Sequence, residues 1–184
     1  MQSAGGISNL VHRGRMPAPG TSSERSLTAL PPWPPVRVEL RAAQIPVIGW
    51  FAWHHWFVVE RPGTRSRWEV WQTAAAGAEA WGHLHRNLLP PDRGVGGGPS
   101  WVVQQWQGEV GQELAQRIEA SPAEYPFRER YRYWPGPNSN TYVQWVLGRR
   151  WNLCWRGCGR GFHRRHFQSP VVATLLPPRD PTVR

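Results

Sequence analysis

Trp53-His54-His55-Trp56-Phe57-Val58-Val59, closed by Arg61-Pro62-Gly63 and followed by Arg67-Trp68-Glu69-Val70-Trp71, is the stretch that decides the fold. Aromatic and β-branched side chains suit a pleated, half-buried surface, and Pro-Gly interrupts the run at its middle. In the second half Arg67, Glu69 and Trp71 alternate with Trp68 and Val70. The reading is a β-hairpin with a turn of five or six residues. Neighbouring strand residues point to opposite faces, so only one of His54 and His55 can look into a given pocket.

Outward from this hairpin the pattern alternates between strand and helix. Val36, Val38 and Leu40 alternate with Arg37 and Glu39, a short strand at which order begins, and residues 101–106 form another. Residues 73–89 keep two readings open: the alanine run favours helix, Gly77 and Gly82 weaken it, and the alternation of His83 and His85 suits a strand. Residues 90–99, with four glycines, are a loop. Glu109 to Ala120 is a helix, with Val110, Leu114 and Ile118 four apart and with Gly108 and Ser121-Pro122 as its bounds. Trp134-Pro135-Gly136-Pro137 forces a rigid turn, and a helix begins near 139–142, where Thr141 and Gln144 have capping-box spacing. The fold class is α+β: a small antiparallel sheet with packed helices in one domain over residues 36–147. A Pro/Gly/Ser-rich arm precedes it over 1–35, and an arginine-rich extension follows over 148–184.

Composition narrows the function classes. The chain has 184 residues and 13 Trp, and its 22 basic residues, all Arg, against 12 acids give a formal charge of +10. That charge sits at the ends: residues 1–44 carry five Arg and two acids, residues 148–184 eight Arg and one acid, and the segment between is neutral with nine of each. A phosphate-binding stripe in the core fold is therefore disfavoured, while the C-terminal arginines can meet an anionic partner. The longest apolar run, residues 45–59, is broken by Pro46, Gly49, His54 and His55, so no membrane span is expected. No secretory pattern opens the chain, and a cytoplasmic location is expected. Cys154 and Cys158 are too close in sequence to staple distant segments. Together with His163 and His166 they have the residue types of a zinc site, but the flanking arginines oppose a cation, and the segment reads equally as a loose basic tail. Gly94 to Gly98 lacks the lysine of a phosphate loop, so no nucleotide, cofactor or metal is assigned.

Four segments together resemble a bacterial family of uncharacterised function: residues 53–59, residues 67–71, Trp81-Gly82-His83-Leu84-His85, and Trp134-Pro135-Gly136-Pro137-Asn138-Ser139-Asn140-Thr141-Tyr142-Val143. The likeness covers about residues 36–147 and implies no activity. More distantly, the chain resembles circularly permuted papain-like peptidases and amidases. In these a histidine opens a strand, a polar or acidic residue follows on the next strand, and a cysteine nucleophile stands late, at a helix start. On that resemblance His55 is the base, Glu69 its orienter, and Ser139 stands where the cysteine would be.

Each candidate has a structural role beside the catalytic one. Ser139 can cap the helix, or it can attack a carbonyl while helix-start amides, helped by the side chains of Asn138 or Asn140, hold the oxyanion. His55 can be a base or a structural imidazole within an aromatic sheet. Glu69 can orient His55 if both share a face, or pair with Arg67 or Arg61. His83 and His85 can supply polar pocket groups, and Trp50, Trp53, Trp56 and Trp68 either wall a pocket or fill the core. The function expected is serine-dependent hydrolysis or acyl transfer on an amide or ester of a small molecule, peptide or lipid. The alternative is a non-catalytic binding or structural domain that retains such a cleft.

Overall fold

The predicted hairpin lies at the middle of a six-stranded antiparallel sheet in the computed structural model, which describes residues 35–77 and 79–162. The strands are β1 (Arg37–Gln44), β2 (Trp53–Arg61), β3 (Thr64–Val70), β4 (Glu79–Trp81), β5 (Leu84–Arg86) and β6 (Trp101–Trp106), and the helices are α1 (Gly108–Glu124) and α2 (Ser139–Leu147). The order across the sheet is β4-β5-β3-β2-β1-β6. The predicted arm, residues 163–184 and His163 and His166 of the cysteine-histidine cluster lie outside the described residues, apart from Pro35 at the arm's end.

The turn between β2 and β3 is tighter than predicted. Arg61 pairs with Thr64, which leaves only Pro62 and Gly63 in the loop. Gly63 takes φ 74°, a conformation open to glycine at no steric cost, and Thr64 to Ser66 join the strand. The segment at 73–89 resolves as strand, with Gly82 turning β4 into β5 at φ 65°.

Helix α1 runs on past the predicted stop at Ser121-Pro122. Pro122 has no N–H for the Ile118 carbonyl, but the Ser121 hydroxyl donates to that carbonyl at 2.5 Å, so the acceptor is not orphaned. Both helices cover one face of the sheet, α2 over β2 and β3 and α1 over β1. Between them lies an apolar core that includes Leu40, Phe57, Trp68, Val70, Leu114, Ile118, Tyr142 and Val146. This core continues past residue 147: Leu153 is buried in it, and Trp151 and Phe162 pack against it. The opposite face is covered by the loop after β5, with Val95 against Ala43, Trp56 and Val58. No helix among the described residues is long and apolar enough to cross a membrane.

Candidate functional site

Strand geometry separates the two histidines. Phe57 pairs with Trp68 and both lie in the core beneath the helices, so Glu69 faces the other way, with Trp56 and His54. His54 Nε2 lies 2.8 Å from Glu69 Oε2, and Glu69 is therefore the partner of His54 and not of His55. Arg67 completes the group: Nη2 donates to Glu69 Oε2 at 2.7 Å, and Nε lies 2.7 Å from Oε1 in an ion pair not aligned as a hydrogen bond. Arg67 and Glu69 are both fully buried.

The loop after β5 closes over this group. Arg67 Nη1 donates to the carbonyls of Pro90 and Arg93, its guanidinium lies 4.0 Å from the Trp56 ring centre, and Trp56 Nε1 donates to the Pro91 carbonyl. Burial would push the Glu69 carboxyl up, but the hydrogen bonds and charges of His54 and Arg67 outweigh it and hold it below the ordinary carboxylate range. An ionised Glu69 accepts from His54 Nε2–H, and in the neutral imidazole Nδ1 then carries the lone pair.

His55 is committed elsewhere. It is fully buried on the helix side, with Nδ1 2.8 Å from Asn140 Oδ1. Asn140 spends both amide hydrogens on the carbonyls of Trp53 and Cys158, so its oxygen accepts and His55 carries its proton on Nδ1. Nε2 has no partner. Burial lowers the pKa of His55 to about 4 despite the Asn140 bond, so the ring is neutral.

The start of α2 assigns its residues unequally. Asn138, not Ser139, is the N-cap: its Oδ1 accepts from the amides of Asn140 and Thr141, and Thr141 Oγ1 accepts from the Asn138 amide. The predicted partner Gln144 instead ties Gly148, Trp151 and Leu153 to the helix end. Asn138 Nδ2 donates to the Tyr133 carbonyl. Gly159, at φ 89°, lies so close that a Cβ there would stand 2.3 Å from Asn138 Nδ2. The amide groups expected to hold an oxyanion are thus largely engaged. Among the described residues, the hydroxyl and backbone amide of Ser139 have no hydrogen-bond partner and no capping duty.

Ser139 and His54 line the same cavity, of about 290 Å³, at the end of the sheet where β2 begins and β3 ends. Ile45, Ile48, Phe51, Trp71, Tyr131, Tyr133 and Trp134 also line it, and Cys158 contributes a free thiol. His83 faces a second depression, lined by Phe127, Glu129 and Pro137, and its ring is bonded to the Trp71 carbonyl. His85 is held by the His83 carbonyl and the Ala76 amide. Of the four tryptophans weighed as a wall, Trp56 and Trp68 are buried and Trp50 is exposed. No group of three His, Cys, Asp or Glu side chains among the described residues is placed to hold a metal ion.

The resemblance assigns the base to His55, whereas the strand register puts Glu69 beside His54. The signal was Pro62-Gly63: a two-residue turn places Glu69 on the His54 face. Tyr131, Tyr133, Trp134 and Cys158 were missed as cavity residues, because they stand on irregular segments with no periodicity to orient them. No curated protein and no solved structure matches the chain. One family model matches residues 36–162, more than half of the chain and the whole of the sheet and both helices, and carries the description "Protein of unknown function (DUF3750)". The chain belongs to that family.

Proposed function

We propose that the cavity is the reaction site of a serine-dependent hydrolase or acyltransferase acting on an ester or amide, with the role that the resemblance assigns to His55 passing to His54. The Ser139 hydroxyl attacks the carbonyl carbon as its proton passes to His54 Nδ1, and Glu69 holds the resulting imidazolium. The tetrahedral intermediate collapses as His54 returns the proton to the leaving amine or alcohol. Water or a second nucleophile, deprotonated by His54, then releases the acyl group from Ser139. The unspent Ser139 amide is the donor available to the oxyanion. The observation that carries the reading is that His54, paired behind the wall with Glu69, and an uncommitted serine at a helix start line one cavity.

A second reading, an inert binding domain, is favoured by the amide donors that Asn138 and Asn140 spend on structure. A fluorophosphonate followed by intact mass separates the two. A single adduct is expected on the folded protein, absent in Ser139→Ala and formed about 10²–10⁴ times more slowly in His54→Gln. Labelling that persists in Ser139→Ala overturns the nucleophile, and a folded protein that takes no label supports the binding domain.

A further inference from the structure

The mouth of the cavity carries apolar surface that the fold does not use. Val47 is 96% exposed, and Trp50 and Trp134 are each 74% exposed. Ile48 and Trp134 line the cavity, and Trp50 lies edge-on against Phe51, which also lines it. Val47 sits at φ 71°, a costly conformation for a β-branched residue, although its side chain gains almost no burial. Large apolar groups set around a cavity mouth in this way mark an interaction surface.

The two segments that carry these groups hold charge of one sign. Residues 45–53 contain no charged residue, and residues 131–162 contain five arginines and no acid. Arg156 joins the two segments: its Nε donates to the Trp50 carbonyl, its carbonyl accepts from the Trp53 amide, and its guanidinium stacks on Trp155, itself 56% exposed. Arg160 donates to the Trp155 carbonyl. Tryptophans whose rings span the boundary between apolar and wet phases, interleaved with arginines, suit a membrane interface. The absence of acids suits an anionic one.

We infer that this rim docks on the surface of an anionic lipid bilayer, with Val47, Trp50, Trp134 and Trp155 entering the headgroup region and Arg156 and Arg160 meeting lipid phosphates. The docking is independent of catalysis. Joined to the proposed function, and resting on it in this respect alone, it makes the substrate an acyl ester or amide of an amphipathic lipid, entering the apolar cavity from the membrane.

The test is co-sedimentation of the full chain with vesicles of phosphatidylcholine alone or with one-third phosphatidylglycerol, alongside tryptophan fluorescence and thermal melting to confirm folding. Binding is expected to the anionic vesicles and to weaken with salt. Trp50→Ala is expected to lower the partition coefficient about tenfold, and Arg156→Ala about fivefold. Because Arg156 also packs on aromatic rings, the exposed Val47→Ser provides a second rim variant that leaves the fold intact. Absence of binding overturns the inference, as does binding that survives Trp50→Ala and Val47→Ser but disappears with Arg164→Ala and Arg165→Ala. Ser139→Ala is expected to bind vesicles normally, so a failure of docking and a failure of the catalytic reading remain distinguishable.

Discussion

On the helix side of the sheet Phe57, Val59, Trp68 and Val70 meet Leu114, Ile118, Tyr142 and Val146, whereas on the loop side His54, Arg67 and Glu69 are nearly as dry but polar or charged. The first face gains free energy without direction, roughly in proportion to the apolar area removed from water. The second must match every donor to an acceptor, and a buried ion pair returns little stability beyond its own desolvation. A protein selected only for stability would gain as much from an apolar replacement. The charged face is therefore where function is to be sought, and it is the face that turns His54 toward the cavity.

The largest expected effect breaks the two faces in different ways. Glu69→Ala leaves Arg67 buried without its counter-charge and is expected to cost about 3–5 kcal/mol in urea unfolding. Arg67→Met combined with Glu69→Leu removes both charges and is expected to recover most of that loss. Phe57→Ala on the other face is expected to cost a similar 3–5 kcal/mol through a cavity, with no single partner change restoring it. A double variant no more stable than Glu69→Ala would remove the distinction between the faces.

His55 sharpens the comparison through pH. Its folded pKa of about 4 lies below its ordinary value of 6.5, so between these values the unfolded chain binds a proton that the folded one does not. Its contribution is fully present above pH 6.5 and is lost as pH falls toward 4, where the loss reaches roughly 3 kcal/mol. Below that both states are protonated and the term levels off. Unfolding free energies measured from pH 8 to pH 3 test this, and Asn140→Ala, which removes the hydrogen bond that opposes the shift, is expected to carry the fall to lower pH at the same one-proton slope. A flat profile would mean that His55 is not held neutral on the helix side.

How far the sequence carried the reading follows from where periodicity exists. β1, β3 and α1 were legible because apolar residues recur every two or every three to four positions, and β2 and β6 because they are dense in aromatic and β-branched residues. The turn at Pro62-Gly63 is shorter than the five or six residues expected, and only an odd change in turn length reverses facing. A turn of five or six residues leaves the facing of Glu69 undecided, and the choice of His55 rested on the resemblance; the two-residue turn sets Glu69 opposite Trp56 and so beside His54. Pro122 looked like a stop because its missing N–H is visible in sequence, while the Ser121 hydroxyl that answers the freed carbonyl is visible only in three dimensions. The cavity was the least legible feature, since its walls come from the segments around 45–52, 131–140 and 158, which pack by individual contacts and not by a repeating pattern.

The smallest expected effect concerns two adjacent residues at the start of α2. Asn138 accepts from two helix amides and anchors the Tyr133 carbonyl, so Asn138→Ala is expected to cost about 1–2 kcal/mol. Ser139 makes no such bonds, and Ser139→Ala is expected to stay within about 0.5 kcal/mol of the parent protein. The contrast bears on function, because a serine buried at a helix start and irrelevant to stability is free to serve chemistry. Thermal and urea unfolding of the two variants, each beside its fluorophosphonate labelling, joins the two questions. Were Ser139→Ala the more destabilising, the hydroxyl would be a structural cap and its place in the cavity incidental; were it neutral in stability and decisive in labelling, the division of labour at this helix start would be between a residue that holds the helix and one that reacts.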